Sequence, residues 1–254
     1  MAGGSRKNGR RRRGAAVYTP VAALLALFII IFGVSVFFRV ERITVTGSMR
    51  YTEDEIISAS GIERGDNLFF MDRDAAARRI TGAMPYVAVV RIERRAPGTA
   101  VIEITESRAV AAVAEGGSYW KIDSGGRVLE RTDFAGTAGL IRVSGFSPRT
   151  PKEGGQLETE ESYETQRGFL LEVLSAIESR GIAGDVSNLD ITNISAITFT
   201  YRGDVSVNLG GGDNASFKLD KFLSELEREP GFRGRIDVSK DGRTYVNPDA
   251  DGAS

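Results

Sequence analysis

Hydropathy along the chain opens with a block that has no periodicity. Residues 15–38 carry no charge, and 13 of the 18 residues from 21 to 38 are Leu, Ile, Val or Phe. As a helix, 18 residues span about 27 Å, and residues 15–20 extend the run to the roughly 30 Å of bilayer hydrocarbon. Each Leu, Ile, Val or Phe favours insertion by about 0.3–0.6 kcal/mol. Pro20 falls in the first turn, where a missing N–H does no harm. The pattern predicts a transmembrane helix over 15–38. A cleaved leader has a shorter apolar region and a small-residue cleavage site, whereas this run closes on Val36-Phe37-Phe38-Arg39.

Beyond residue 38 the pattern becomes periodic. Residues 40–46 read as a strand ended by Gly47-Ser48. Thr52-Glu53-Asp54-Glu55 is a capping box for a helix running to Ser60 and stopped by Gly61. Asp72 caps a second helix, 73–81, ended by Gly82. Strands follow at 86–94 and 99–106, turned by Arg95-Ala96-Pro97-Gly98. The order is strand, helix, helix, strand, strand.

The remainder reads as a mixed β-domain with flanking helices. Residues 120–129 suggest two short strands about Gly125-Gly126, and 146–161 is a loop rich in Pro, Gly and acid. Phe169, Leu170, Val173, Leu174 and Ile177 have helical spacing within 163–180. Ile197, Phe199 and Tyr201 alternate with threonines, and Val205, Val207 and Leu209 alternate with Ser206 and Asn208, so each strand has one apolar and one polar face. Leu219, Phe222, Leu223 and Leu226 mark a helix over 219–228. Two last strands, 235–239 and 243–246, flank Lys240-Asp241-Gly242. The fold class is α+β, with boundaries expected at 1–14 for a basic tail, 15–38 for the transmembrane helix, 39–113, 114–248 and a short tail 249–254.

Charge orients this plan. Arg6, Lys7, Arg10, Arg11, Arg12 and Arg13 precede the apolar run, and a basic cluster stays cytoplasmic, which puts residues 39–254 on the far side. The tail has no apolar pattern and reads as disordered. Setting its six charges aside leaves 27 basic against 34 acidic residues, a net of −7. That balance argues against nucleic-acid binding and against a polybasic surface that hugs anionic lipid. There is no Cys and no His. Disulfides, lipidation at Cys, and Ser-His or Cys-His catalysis are therefore excluded, and the commonest zinc ligand is missing. Gly210-Gly211-Gly212 lacks a Walker-type Gly-Lys-Ser/Thr, with Lys218 too far along to serve. Ser118 lacks nucleophile-elbow spacing. The sequence calls for no metal and no cofactor, and predicts no enzyme.

Several local words together resemble the FtsQ/DivIB family of bacterial cell-division proteins. They are Val45-Thr46-Gly47, Glu55-Ile56, Gly61-Ile62, Gly65-Asp66-Asn67-Leu68-Phe69, Pro85-Tyr86-Val87, Pro97 and Glu106-Ser107-Arg108. In this order, behind an N-in anchor, they are similar to that family's POTRA domain. Where the family commonly has Pro after that Glu, this chain reads Ala109-Val110-Ala111. Trp120 to Leu129, Val205 to Gly210, Lys218-Leu219 and Ile236-Asp237-Val238 resemble its β-domain. The resemblance implies a bitopic scaffold at the division septum. Its implied partners are FtsB- and FtsL-like division proteins, with other divisome proteins meeting the POTRA domain, in support of septal peptidoglycan synthesis. An open sheet edge can accept a partner strand. The expected edge is Arg243, Thr244, Tyr245 and Val246, with Tyr245 as aromatic anchor. Two other readings compete: a signal-anchored peptidoglycan-cleaving enzyme and a POTRA-bearing translocation factor.

Overall fold

The computed structural model describes residues 15–240 and 244–248. The basic cluster Arg6 to Arg13, Arg243 and the tail 249–254 lie outside the described residues. The chain divides into two compact units. One comprises the residues up to Ile80 with Val90–Ile104, and the other Thr81–Val89 with the residues from Thr105 onward.

Helix α1, Ala15–Phe37, is 23 residues long and contains Pro20. Its apolar side chains from Val21 to Phe32 are half to two-thirds exposed. Side chains on α1 are described only from Pro20 to Gly33 and at Phe37. Over the described residues, no helix is long and apolar enough to cross a membrane.

The five elements after α1 follow the expected order: β1 Arg42–Thr46, α2 Glu53–Ser60, α3 Arg73–Ala83, β2 Val87–Arg95 and β3 Thr99–Glu106. The three strands form one sheet in the order β1-β3-β2, with β1 parallel to β3 from Arg42↔Thr99 to Thr46↔Glu103. Helix α2 starts as its sequence dictates. The Glu55 amide donates to Thr52 Oγ1 at 3.3 Å and the Thr52 amide to Glu55 Oε2 at 2.8 Å. It ends at Gly61 in the left-handed region, where Arg79 Nε donates to the Ser60 carbonyl at 2.9 Å. The Ala75 amide donates to Asp72 Oδ1 at 2.9 Å to open α3. That helix runs through Gly82 to Ala83 instead of stopping at Thr81. Glycine can hold helical angles, whereas the residue before Pro85 cannot easily do so. Ile56, Leu68, Ile80 and Ile102 are fully buried.

The second unit holds a nine-stranded sheet. Its elements are β4 Ala111–Glu115, β5 Ser118–Ile122, β6 Val128–Thr132, β7 Ile141–Ser144, α4 Glu164–Ser179, β8 Val186–Asp190, β9 Ile197–Tyr201, β10 Val205–Gly210, α5 Ala215–Arg228, β11 Gly234–Asp237 and β12 Tyr245–Pro248. The order is β12-β11-β10-β9-β8-β7-β4-β5-β6. The boundary expected after Val113 falls inside β4, and β7 and β8 had no counterpart in the sequence pattern. From β7 to β12 the chain steps steadily toward one edge. The pairs β7·β8 and β10·β11 are parallel, so each needs a crossover, and α4 and α5 supply them. Two right-handed crossovers advancing in one direction place both helices on one face. There Phe222 of α5 meets Phe199 and Tyr201 edge-on, at 5.4 and 5.2 Å between ring centres. Leu170, Leu174 and Ile177 of α4 join the same core. Thr198, Thr200, Ser206 and Asn208 are only half-buried, on the other face of their strands.

A candidate partner-binding edge

Strand β12 ends the nine-stranded sheet. It pairs antiparallel with β11 through Gly234↔Pro248, Arg235↔Asn247, Ile236↔Val246 and Asp237↔Tyr245. Among the described residues no strand lies on its other side. The expected strand 243–246 is thus corrected to Tyr245–Pro248. Arg243 is outside the described residues, and Thr244 precedes the strand. Pro248 closes the strand, and an edge strand tolerates a residue without an N–H. The sequence reading, counted from the Lys240-Asp241-Gly242 turn, did not include Asn247 and Pro248. Val246 stands opposite buried Ile236 and is itself 38% exposed.

The strand beneath this edge is fixed from several directions. Asn208 Nδ2 of β10 donates to Asp237 Oδ2 at 2.9 Å. The Ser239 amide donates to Asp237 Oδ1 at 2.9 Å, and the Val238 amide to the Asn208 carbonyl at 2.9 Å. Burial pushes the Asp237 carboxyl upward in pKa, but the hydrogen bonds from Ser239 and Asn208 and the charge of Lys240 outweigh it, holding the group below the usual carboxylate range. Lys221 Nζ of α5 donates to the Lys240 carbonyl at 2.8 Å, tying down the chain that leads to β12.

The other candidates resolve into structure. Helix α5 begins four residues earlier than its apolar stripe suggested, so Lys218 lies in its first turn. Lys218 does reach the glycine run: it is 4% exposed, and its Nζ donates to the Gly211 carbonyl at 2.9 Å. A Cβ at Gly212 would collide with the Phe169 ring. Lys218 and Phe169 thus pack directly against this loop. Ser118 Oγ accepts from Arg131 Nη2 at 2.7 Å. A cleft of about 630 Å³ is bordered by Phe134, Arg142, Asp185 and Arg202. Arg202 donates to both Asp185 oxygens at 3.2 Å, which holds that carboxyl below its usual range despite burial. The Tyr201 hydroxyl donates to the same group at 3.2 Å. These charges satisfy one another. Among the described residues no cluster of three or more carboxylates could hold a metal.

A strand-helix-helix-strand-strand unit followed by a wide mixed sheet that ends in β12 defines a class of two-domain proteins led by a POTRA domain. The family model of the POTRA domain, FtsQ-type, matches residues 38–107. The cell division protein FtsQ of Syntrophotalea carbinolica is 30% identical over 219 residues, 84% of this chain and 75% of that protein. The cell division protein DivIB of Clostridium botulinum strain Hall is 24% identical over 234 residues, 87% and 89% of the two chains. FtsQ of Streptomyces venezuelae is 26% identical over 207 residues, 81% and 73%. The chain belongs to the FtsQ/DivIB family of bacterial cell-division proteins.

Proposed function

We propose that this protein is a non-catalytic, membrane-anchored scaffold of the bacterial divisome that captures extracytoplasmic segments of FtsB- and FtsL-like proteins by strand addition. The uncharged run 15–38 behind six basic residues supports a single membrane pass with the N-terminus in the cytoplasm and the two folded units outside, at the division septum. The POTRA domain is the surface for other divisome proteins. The observation that carries the reading is the position of β12 at the open end of the sheet. Its outward backbone groups can template an added strand, and exposed Val246 can pack against a partner's side chains.

Titration of the purified chain with the extracytoplasmic segment of an FtsB-like protein tests this. Successive residues in a strand send their N–H groups to opposite sides. Of Val246→Pro and Asn247→Pro, one loses a bond to β11 and melts lower. The other keeps its melting temperature and weakens partner binding by about 5- to 150-fold, the equivalent of 1–3 kcal/mol for an unpaired group. Normal binding by both variants removes the edge from consideration.

A further inference from the structure

At the exit of α1, backbone hydrogen bonds knit the chain to the loop 65–71. The Leu68 amide donates to the Phe38 carbonyl, the Val40 amide to the Asp66 carbonyl, and the Gly65 amide to the Val40 carbonyl, each at 2.8 Å. No slack linker therefore separates the helix from the POTRA fold. Leu68 is fully buried and pins the loop from within. Asn67 Oδ1 accepts from the Phe69 amide at 2.9 Å and from the Phe70 amide at 3.2 Å, and the Asn67 carbonyl accepts from Met71 at 3.0 Å. A well-bonded turn thus presents two aromatic rings to the outside. Phe70 is 72% exposed, Phe69 44% and Phe37 73%. Phe38 meets Phe69 edge-on at 4.9 Å and Phe37 at 5.6 Å. Phe37, Phe38 and Phe69 thus form a run of ring contacts at the end of α1, and exposed Phe70 follows Phe69 in the same loop.

Contiguous exposed apolar surface on an ordered loop marks something that covers it. Aromatic side chains concentrate where a membrane meets water, and this patch begins where an uncharged helix ends. We propose that Phe37, Phe38, Phe69 and Phe70 form an aromatic collar that sinks into the interfacial layer of the bilayer holding α1, seating the POTRA domain directly on the lipid surface. The proposal rests on the membrane-anchor reading of α1. Its consequence is mechanical: the anchor and the POTRA fold move as one body, and a pull on the domain reaches the membrane without a swivel.

The chain has a single Trp, Trp120, which supplies a constant fluorescence background. The full chain is reconstituted into phospholipid nanodiscs with and without brominated acyl chains, as wild type, Phe70→Trp and Asp54→Trp. Both replaced side chains are exposed, so the fold is spared. The expected result is that the emission added by Phe70→Trp is blue-shifted and quenched by brominated lipid, while that added by Asp54→Trp is not. If the chain is retained in the disc but both added signals resist brominated lipid and yield to aqueous iodide, the collar is wrong and the anchor stands. If the Phe70→Trp signal resists both quenchers, protein covers the patch instead, and the lipid proposal is overturned. A chain that never enters the disc overturns the anchor reading and the collar with it.

Discussion

Asp237 shows how one side chain sets up a surface it does not itself form. Its carboxylate gathers the Ser239 amide and the Asn208 side chain, locking the end of β11 against β10, and so decides where β12 can lie. The folded state depresses its pKa below the ordinary value near 3.8. Between the two values the unfolded chain binds more protons, so the contribution is complete above the ordinary pKa and is lost as pH falls through the folded one. Asp237→Asn is expected to cost about 1–2 kcal/mol at pH 7, a charge-assisted bond discounted for partial exposure. Melting curves of the two proteins should converge as pH falls below 4. A gap that persists in acid would show that shape, not charge, is what the residue supplies.

Among the elements, the first unit was legible because its signals are local. The capping box Thr52/Glu55, the left-handed Gly61 and the Asp72 cap each act within four residues, and each appears as the sequence indicates. Gly47 belongs to the same group but adds a tertiary reason. Its φ is +86°, and a Cβ there would collide with the Ile104 carbonyl oxygen of β3. Gly47→Ala should therefore destabilise by about 1–3 kcal/mol, the scale of a residue forced into a sparsely populated backbone region, read as a lowered melting temperature. An unchanged value would mean that the β1–α2 turn relaxes freely. The less legible elements are β7 and β8. Each is four or five residues long and lies inside the sheet. Their identity comes from neighbours distant in sequence, as in Val143↔Leu189. Local reading has no access to such pairings.

For the whole molecule, the anchor reading makes a topological claim. Six basic residues before the uncharged run predict N-in, C-out insertion without cleavage. A reporter active only outside the cytoplasm, fused after Ser254, should be active, and the blotted product should keep its full mass. Activity confined to a cytoplasmic reporter, or loss of about 35 residues as for a processed leader, would contradict it.

At that same scale, hydropathy, capping and turn chemistry are written in neighbouring residues, so the chain itself specifies the apolar helix, both POTRA helices and the alternating strands β9 and β10. The absence of His likewise excludes His-based catalysis before any fold is known. What covers each strand cannot be read this way. Whether β12 is an edge depends on the nine-strand order, which the parallel pairs β4·β7, β7·β8 and β10·β11 set through contacts far apart in the chain. The placement of Phe69 and Phe70 has the same origin. They follow Leu68 directly in sequence, but the loop around Asn67 buries Leu68 and leaves Phe69 and Phe70 exposed. Burial is a property of packing between distant segments, so only the tertiary structure could separate the residue that holds the loop from the two left for something else to cover.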